Sequence, residues 1–356
     1  MKGDKILTRM GDGERVWMAI EQAREDVALG SQDAGKKGNI AELCAEDQER
    51  LLAILAEPGR IVSVSPGEEV VVTDDGAALI LCSGSTDGGS GLAIDRQPAI
   101  LAYERTFAPD TVSTGIHDYS FKPVKAIMSN ERQAYASTVL LTTAPLFYGS
   151  QPNLGLYFQP DGPHPNPAEL LPKGDVQGAR QSQEEAAAHL TRDMVFVGES
   201  LYEMGCEGLN FDTAGSAGDA DFYAALMAIE QLKMSAPNMA IEVGMAGEFV
   251  LGMHGQIVYR GERLAGMFPH QQVKMAEAAG ADIFGPAVNV NTSRSFAWNL
   301  ARAVTFVKAT VEAAGIPVHA NVGMGVCGVP MCVETPIDCV TRTTKALVQI
   351  GKIDGL

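Results

Sequence analysis

A chain of 356 residues, 46% hydrophobic and 20% charged, has the length and composition of a folded protein with a sizeable core, either one large α/β barrel with an appendage or two ordinary domains. The formal net charge of −17 argues against nucleic acid or an anionic membrane as the main partner, and would suit a cationic substrate at an acidic mouth. No apolar run reaches the roughly 18 residues of a membrane span, and Met1-Lys-Gly-Asp-Lys5 lacks a signal-peptide apolar region, so the expected location is the cytoplasm.

Residues 1–116 read as an N-terminal α+β appendage. Helical spacing over Glu14–Gly30 (Val16, Ile20, Ala23, Val27) and Glu46–Glu57 (Leu51, Leu52, Leu55) is followed by β-type runs at Arg60–Val64, Glu69–Thr73 and Ala78–Cys82. The glycine-rich stretch 83–91 lacks the Gly-Lys-Ser/Thr ending of a phosphate-binding loop and is read as a plain loop.

From residue 117 the grammar changes to short apolar runs, each followed by a long amphipathic helix. Strands are expected near 123–128, 144–149, 208–213, 239–244, 282–286 and 316–321. Residues 151–173, rich in Pro, Asn and Gly, read either as a lid bringing Asp161-Gly-Pro-His164 towards a ligand or as an irregular loop packed by Leu154, Leu156, Tyr157 and Phe158. Ser182-Gln-Glu-Glu185 has the form of a capping box opening a helix with the stripe Leu190, Met194, Val197 and Leu201. Further helices are expected from about Ala220, over Ser293–Ala314, and from Thr335-Pro-Ile-Asp338. Gly205, Gly280, Gly315 and Gly351 each follow a helix, as left-handed caps do. After the last of them, 352–356 begins another strand. The expected fold is a (β/α)8 TIM-type barrel over 117–356, incomplete at its C-terminus, with six strands complete and the seventh cut off.

In such a barrel the polar residues at the C-terminal ends of strands form the active site. That rule selects Asp212, Glu242 and Glu248 as candidate catalytic carboxylates, able to bind an alkylammonium and move its protons. Asn289, Asn291, His319 and Asn321 are the candidate substrate-binding residues. The bland alternative is that the carboxylates cap helices or pair with Arg and Lys. His254, His270 and His319 with Glu242 or Asp212 contain no helix-face pair, and Cys327, Cys332 and Cys339 match no standard zinc spacing, so no metal site is assigned. The six cysteines include no Cys-x-x-Cys pair and read as reduced, buried thiols. Gly323-Met-Gly-Val-Cys-Gly328 formally matches a dinucleotide fingerprint, but Pro330 and Pro336 intervene before the next helix, so no cofactor-binding residue is assigned either.

Long blocks of the chain also resemble the dimethylamine–corrinoid protein Co-methyltransferases. They include Asp118-Tyr-Ser-Phe-Lys-Pro-Val-Lys125, Pro145-Leu-Phe-Tyr-Gly149, His189-Leu-Thr-Arg-Asp193, Asn210-Phe-Asp-Thr213, Gly244-Met-Ala-Gly-Glu248, Leu251-Gly-Met-His-Gly255, Pro269-His-Gln-Gln272, the run 297–306 and Pro336-Ile-Asp338. The resemblance implies transfer of a methyl group from dimethylamine to the Co(I) corrinoid of a separate, dimethylamine-specific carrier protein, in methylamine-dependent methanogenesis. It also implies pyrrolysine, encoded by an in-frame amber codon, directly after the segment matching Ile353-Asp-Gly-Leu356. On that reading the sequence is truncated at the amber position and inactive as written. A pyrroline imine would hold the amine nitrogen while Glu242, with Asp212 or Glu248, serves proton transfers and His319, Asn321 and Asn291 line the cavity. The rival expectations are a zinc-dependent methyltransferase barrel and a non-catalytic fragment that binds the corrinoid protein. A homo-oligomer is compatible with either.

Overall fold

The computed structural model describes residues 5–73, 110–112, 146–147, 150–252, 256–288, 292–322 and 336–356. The expected strands at 78–82 and 123–128, the loop 83–91, and Asn289, Asn291, His254, Cys327 and Cys332 lie outside them. In chain order the main elements are β1 (Lys5–Arg9), β2 (Arg15–Ala19), α1 (Ile20–Gly38), α2 (Ala45–Ala56), β3 (Val71–Thr73), β4 (Asp110–Val112) and β5 (Leu146–Phe147). They continue with α3 (Val176–Glu203), β6 (Gly208–Ala214), α4 (Asp219–Ser235), β7 (Ala240–Met245), β8 (Val258–Tyr259), β9 (Glu262–Arg263), α5 (Pro269–Ala279), β10 (Ile283–Gly285), α6 (Phe296–Ala313) and α7 (Ile337–Ala346). The chain divides into two compact units, one of Met1–Thr73, Ala77–Thr111 and Pro286–Leu356, the other of Asp74–Gly76 and Val112–Gly285.

The first unit is mostly helical. Its core gathers Val27, Leu51, Leu55, Leu300, Val304, Val307, Leu347 and Ile350, all buried. α1 lies against α6 so closely that a Cβ on Gly30 would stand 2.2 Å from the Trp298 carbonyl oxygen. The polar groups between the elements are paired: Arg302 Nε donates to Asp33 (2.7 Å), Lys308 Nζ to Asp47 (2.5 Å), and Arg9 grips Asp338 with two bonds of 2.9 Å. Ser295 caps α6 by accepting from the Trp298 amide while its hydroxyl donates to Asp26. The helices of the expected appendage thus pack on helices that the sequence assigns to the barrel.

In the second unit β5, β6, β7 and β10 form one four-stranded sheet in the order β10-β7-β6-β5, every pairing parallel. The molecule is therefore a mixed α/β protein with a parallel sheet, and sequential strands lie side by side with helices α3, α4 and α5 crossing between them. Parallel neighbours need such crossovers, and strands covered by helices read as near-continuous apolar runs, which is why this sheet was legible. Among the described residues no helix is long and apolar enough to cross a membrane.

Four expectations are corrected by the structure. Val16 belongs to β2, paired antiparallel with β1 in the register Lys5↔Ala19, so the helix opens only at Ile20; four apolar residues at helical spacing could not separate a short strand from the helix after it. Arg60–Val64 is not a strand, although Val62 and Val64 are buried. Ser182 does not start its helix: Asp175 does, accepting from the Gly178 amide after a left-handed Gly174, and the Ser182 hydroxyl donates to the Pro165 carbonyl. Gly205 and Gly280 take the left-handed conformation, but after α6 the cap is an extended Ala314, and at the chain's last helical turn Lys352 rather than Gly351 is left-handed.

Candidate active site

Successive side chains on a strand face opposite sides, so parallel register sorts the residues of β6, β7 and β10 into two sets. Leu209, Phe211, Ile241, Val243 and Phe284 have no solvent exposure and form the apolar face. The other face is mostly polar or bare, with Ile283 its one large apolar residue among those named here. It carries Asn210 and Asp212 from β6, Glu242 and Gly244 from β7, and Ile283 and Gly285 from β10, with Asn210 opposite Glu242, Asp212 opposite Gly244, and Gly285 beyond it.

Glycine at 244 makes room for this arrangement. A Cβ there would lie 2.5 Å from Asp212 Oδ1 and 3.3 Å from Asn210 Oδ1, so both oxygens stand over the bare backbone of β7. Asn210 and Glu242 are only 5% and 4% exposed, and Asp212 is half-buried towards the strand's end. Asn210 Oδ1 is buried and, among the described residues, accepts no hydrogen bond. A buried acceptor without a donor costs about 1–3 kcal/mol, a deficit that a ligand with N–H groups would remove.

The structure brings together two of the sequence-selected residues, Asp212 and Glu242, on neighbouring strands. Glu248 lies in the loop past β7, half-buried, with its carbonyl 3.4 Å from Gln272 Nε2. His319 and Asn321 belong to the first unit, on a short segment where His319 bridges in parallel to Gly355. That segment is closed by the Asp354 and Gly355 amides on the Val318 carbonyl and by the Ala320 amide on the Gly355 carbonyl. The expected new strand after Gly351 is thus present as a parallel bridge. Asn210 was missed by sequence reasoning. Its signal was there: in Gly208-Leu-Asn-Phe-Asp212 every second residue past the glycine is polar.

Other candidates resolve structurally. Residues 150–173 are anchored on α3 through Tyr157, whose hydroxyl donates to Asp193 (2.8 Å), and through His164 Nδ1, 3.3 Å from Glu185. Leu154 and Tyr157 are buried as the packed-loop reading expects, while Leu156 and Phe158 are only partly so. His270 is held below the usual imidazole range by burial and by Lys274. Among the described residues no group of three or more His, Cys, Asp or Glu could hold a metal ion. Cys206 and Cys339 are buried thiols, but Cys44 is exposed.

Beneath the loop that follows β6, Asp221 is wholly buried. Gln151 Nε2 donates to its Oδ1 (2.7 Å), and the Ser216 hydroxyl and Ala217 amide approach its Oδ2 at 3.3 and 3.5 Å. Burial pushes its carboxyl up to about 6 from 3.8, against the lowering effect of these donors. Because the folded-state value is raised, the associated stability is fully present below pH 3.8 and is lost as pH rises through about 6. Between pH 3.5 and 7.5 the wild type should lose roughly 3 kcal/mol more than Asp221→Asn, at 1.36 kcal/mol per unit, as read from urea midpoints. Parallel pH profiles for the two proteins would remove Asp221 as the titrating group.

A family model for dimethylamine methyltransferase matches residues 4–356. The chain belongs to the dimethylamine methyltransferase family. It is accordingly a methyltransferase. Among solved structures, the homocysteine methyltransferase MmuM of Escherichia coli in its apo form is similar at 12% identity over 83% of this chain and 99% of that one, with a TM-score of 0.37. The delta-aminolevulinic acid dehydratase of Toxoplasma gondii, in complex with porphobilinogen, is similar at 11% identity over 81% and 78%, with a TM-score of 0.34. Likenesses of that size decide nothing about fold or function.

Proposed function

We propose that this methyltransferase takes a methyl group from dimethylamine and passes it to the Co(I) corrinoid of a cognate carrier protein, releasing monomethylamine, in the cytoplasm of a methylamine-consuming cell. Membership of the dimethylamine methyltransferase family supports the substrate. The observation that carries the site is the convergence of Asn210, Asp212 and Glu242 beside Gly244, a group of acceptor oxygens, two of them on carboxylates, whose chemistry suits a small alkylammonium. The fold we propose is of the (β/α)8 type, with 117–356 supplying six of its strands and the start of a seventh, and with an α+β appendage over 1–116. Four sequential parallel strands and the packing of α1 and α2 on α6 and α7 support it.

In this reading Asp212 neutralises the bound dimethylammonium, and Glu242 takes a proton from its nitrogen and returns one to the departing amine. Glu248, in the loop past β7, is the third carboxylate of this reading, and His319, Asn321, Asn289 and Asn291 are its proposed substrate-binding residues. Pyrrolysine, when present, supplies an electrophilic imine for the amine nitrogen, and the carrier's corrinoid supplies the methyl acceptor. The family places pyrrolysine directly after the segment matching Ile353-Asp-Gly-Leu356.

The test uses the full-length native protein, the carrier protein with its corrinoid reduced to Co(I), and dimethylamine. Loss of the Co(I) absorbance together with equimolar monomethylamine is expected. No methyl transfer from dimethylamine, with transfer from another methyl donor, would overturn the reading.

A further inference from the structure

Dimethylammonium carries two N–H donors, trimethylammonium one. At neutral pH both are cations, as aliphatic amines with values near that of lysine must be. The group beside Gly244 presents two acceptor oxygens of different kinds: the carboxylate Oδ1 of Asp212, and the amide Oδ1 of Asn210, which is buried and, among the described residues, accepts nothing. Both lie within 3.3 Å of one point above the β7 backbone. Asparagine is a costly choice for the centre of a parallel strand whose other face is wholly apolar, because its amide must be desolvated. A leucine there would suit the fold better. The residue is explained if a ligand supplies the missing donor.

We infer that Asn210 is a specificity-determining substrate contact: its side-chain oxygen accepts the second N–H of a secondary ammonium while Asp212 accepts the first. The inference rests on the proposed dimethylamine reading and adds the basis of discrimination among methylamines. Trimethylammonium, with its single N–H on Asp212, leaves the Asn210 oxygen buried and unsatisfied. Sites built to pair with a substrate N–H or O–H reject analogues lacking it far better than an apolar pocket rejects an extra methyl group.

The experiment measures binding of dimethylammonium and trimethylammonium by calorimetry to the full-length protein, to Asn210→Leu and Asn210→Ala, which withdraw the oxygen, and to Asn210→Asp, which keeps it. The leucine and alanine variants should bind dimethylammonium at least tenfold more weakly while trimethylammonium affinity is unchanged or improved. The aspartate variant should hold dimethylammonium at wild-type strength or better. Alanine stands in for leucine if the branched side chain disturbs the strand, and unfolding midpoints identify that case. Wild-type dimethylammonium affinity in both oxygen-deleted variants overturns the inference. So does an aspartate variant as weak as the leucine one, since the amide would then act as a donor that positions Asp212. Methyl transfer by the wild type, measured in parallel, separates the two failures. An active wild type with unaltered selectivity in the variants sinks the role of Asn210 alone, whereas a wild type that binds neither amine and transfers no methyl group sinks the dimethylamine reading with it.

Discussion

Replacing Glu242 with glutamine should lower kcat/KM for methyl transfer from dimethylamine by about 10²–10⁴, the range spanned by loss of a positioned proton-transfer group. The residue sits in the middle of β7, in register with Asn210 on one neighbouring strand and Ile283 on the other, and is 4% exposed. A carboxyl group in that position is poorly solvated, so its interactions with a bound cation are less screened than they would be in water. Glutamine has nearly the same shape and can occupy the same place, but it cannot exchange a proton with the amine. The unfolding midpoint should therefore move by less than the activity does, and dimethylammonium should still bind through Asp212 and Asn210. The measurement is single-turnover methylation of the carrier's Co(I) corrinoid by the full-length variant, with thermal unfolding as the control. Unchanged methyl transfer would remove Glu242 from the chemistry and leave Asp212 as the carboxylate to test.

The parts of this molecule that were legible in the sequence are those where one physical demand dominates. β6 and β7 each carry a run of buried apolar residues that marks a strand, and Asp212 and Glu242 stood out as carboxylates expected at strand ends, although Glu242 lies within its strand. α4 and α6 were legible because their apolar stripes are long. What was not legible depended on competition between local signals. Ser182 has the composition of a cap, yet Asp175 behind Gly174 starts α3 first, and nothing at Ser182 itself reveals that. Asn210 was passed over because an asparagine inside a strand is not a strand-end residue. Its importance comes from Gly244 on the next strand, thirty-odd positions away in sequence and set against it only by the parallel register. Lys352 takes a left-handed turn that the preceding Gly351 had been expected to supply, because α7 runs on through a wider final turn that places the reversal one residue later.

Arg342→Met should destabilise the first unit by about 3–4 kcal/mol, the largest stability effect expected of any single change here. Arg342 lies on α7 and is 8% exposed. Its Nη2 donates to the carbonyls of Glu57 (2.6 Å) and Gly59 (2.7 Å) in the loop after α2, and its Nη1 to the carbonyl of Asp338 one turn back (3.0 Å). Burial lowers the guanidinium's proton affinity, but arginine stays charged in proteins, so the bonds are charge-assisted. Methionine keeps the apolar stem and removes every donor, stranding loop carbonyls that have no regular ladder to join. Lysine, with a single ammonium and no planar fork, should recover only part of the loss. The effect should also travel along the chain. α7 and its final turn lead directly into Ile353–Leu356, whose Asp354 and Gly355 amides bond to the Val318 carbonyl beside His319. Hydrogen exchange at those two amides should quicken in Arg342→Met together with the drop in denaturant midpoint. A midpoint within 1 kcal/mol of wild type would mean that packing of the stem, not the guanidinium's hold on the loop, fixes α7; a full drop without faster exchange at Asp354 and Gly355 would mean that their strand pairing is independent of the helix before it.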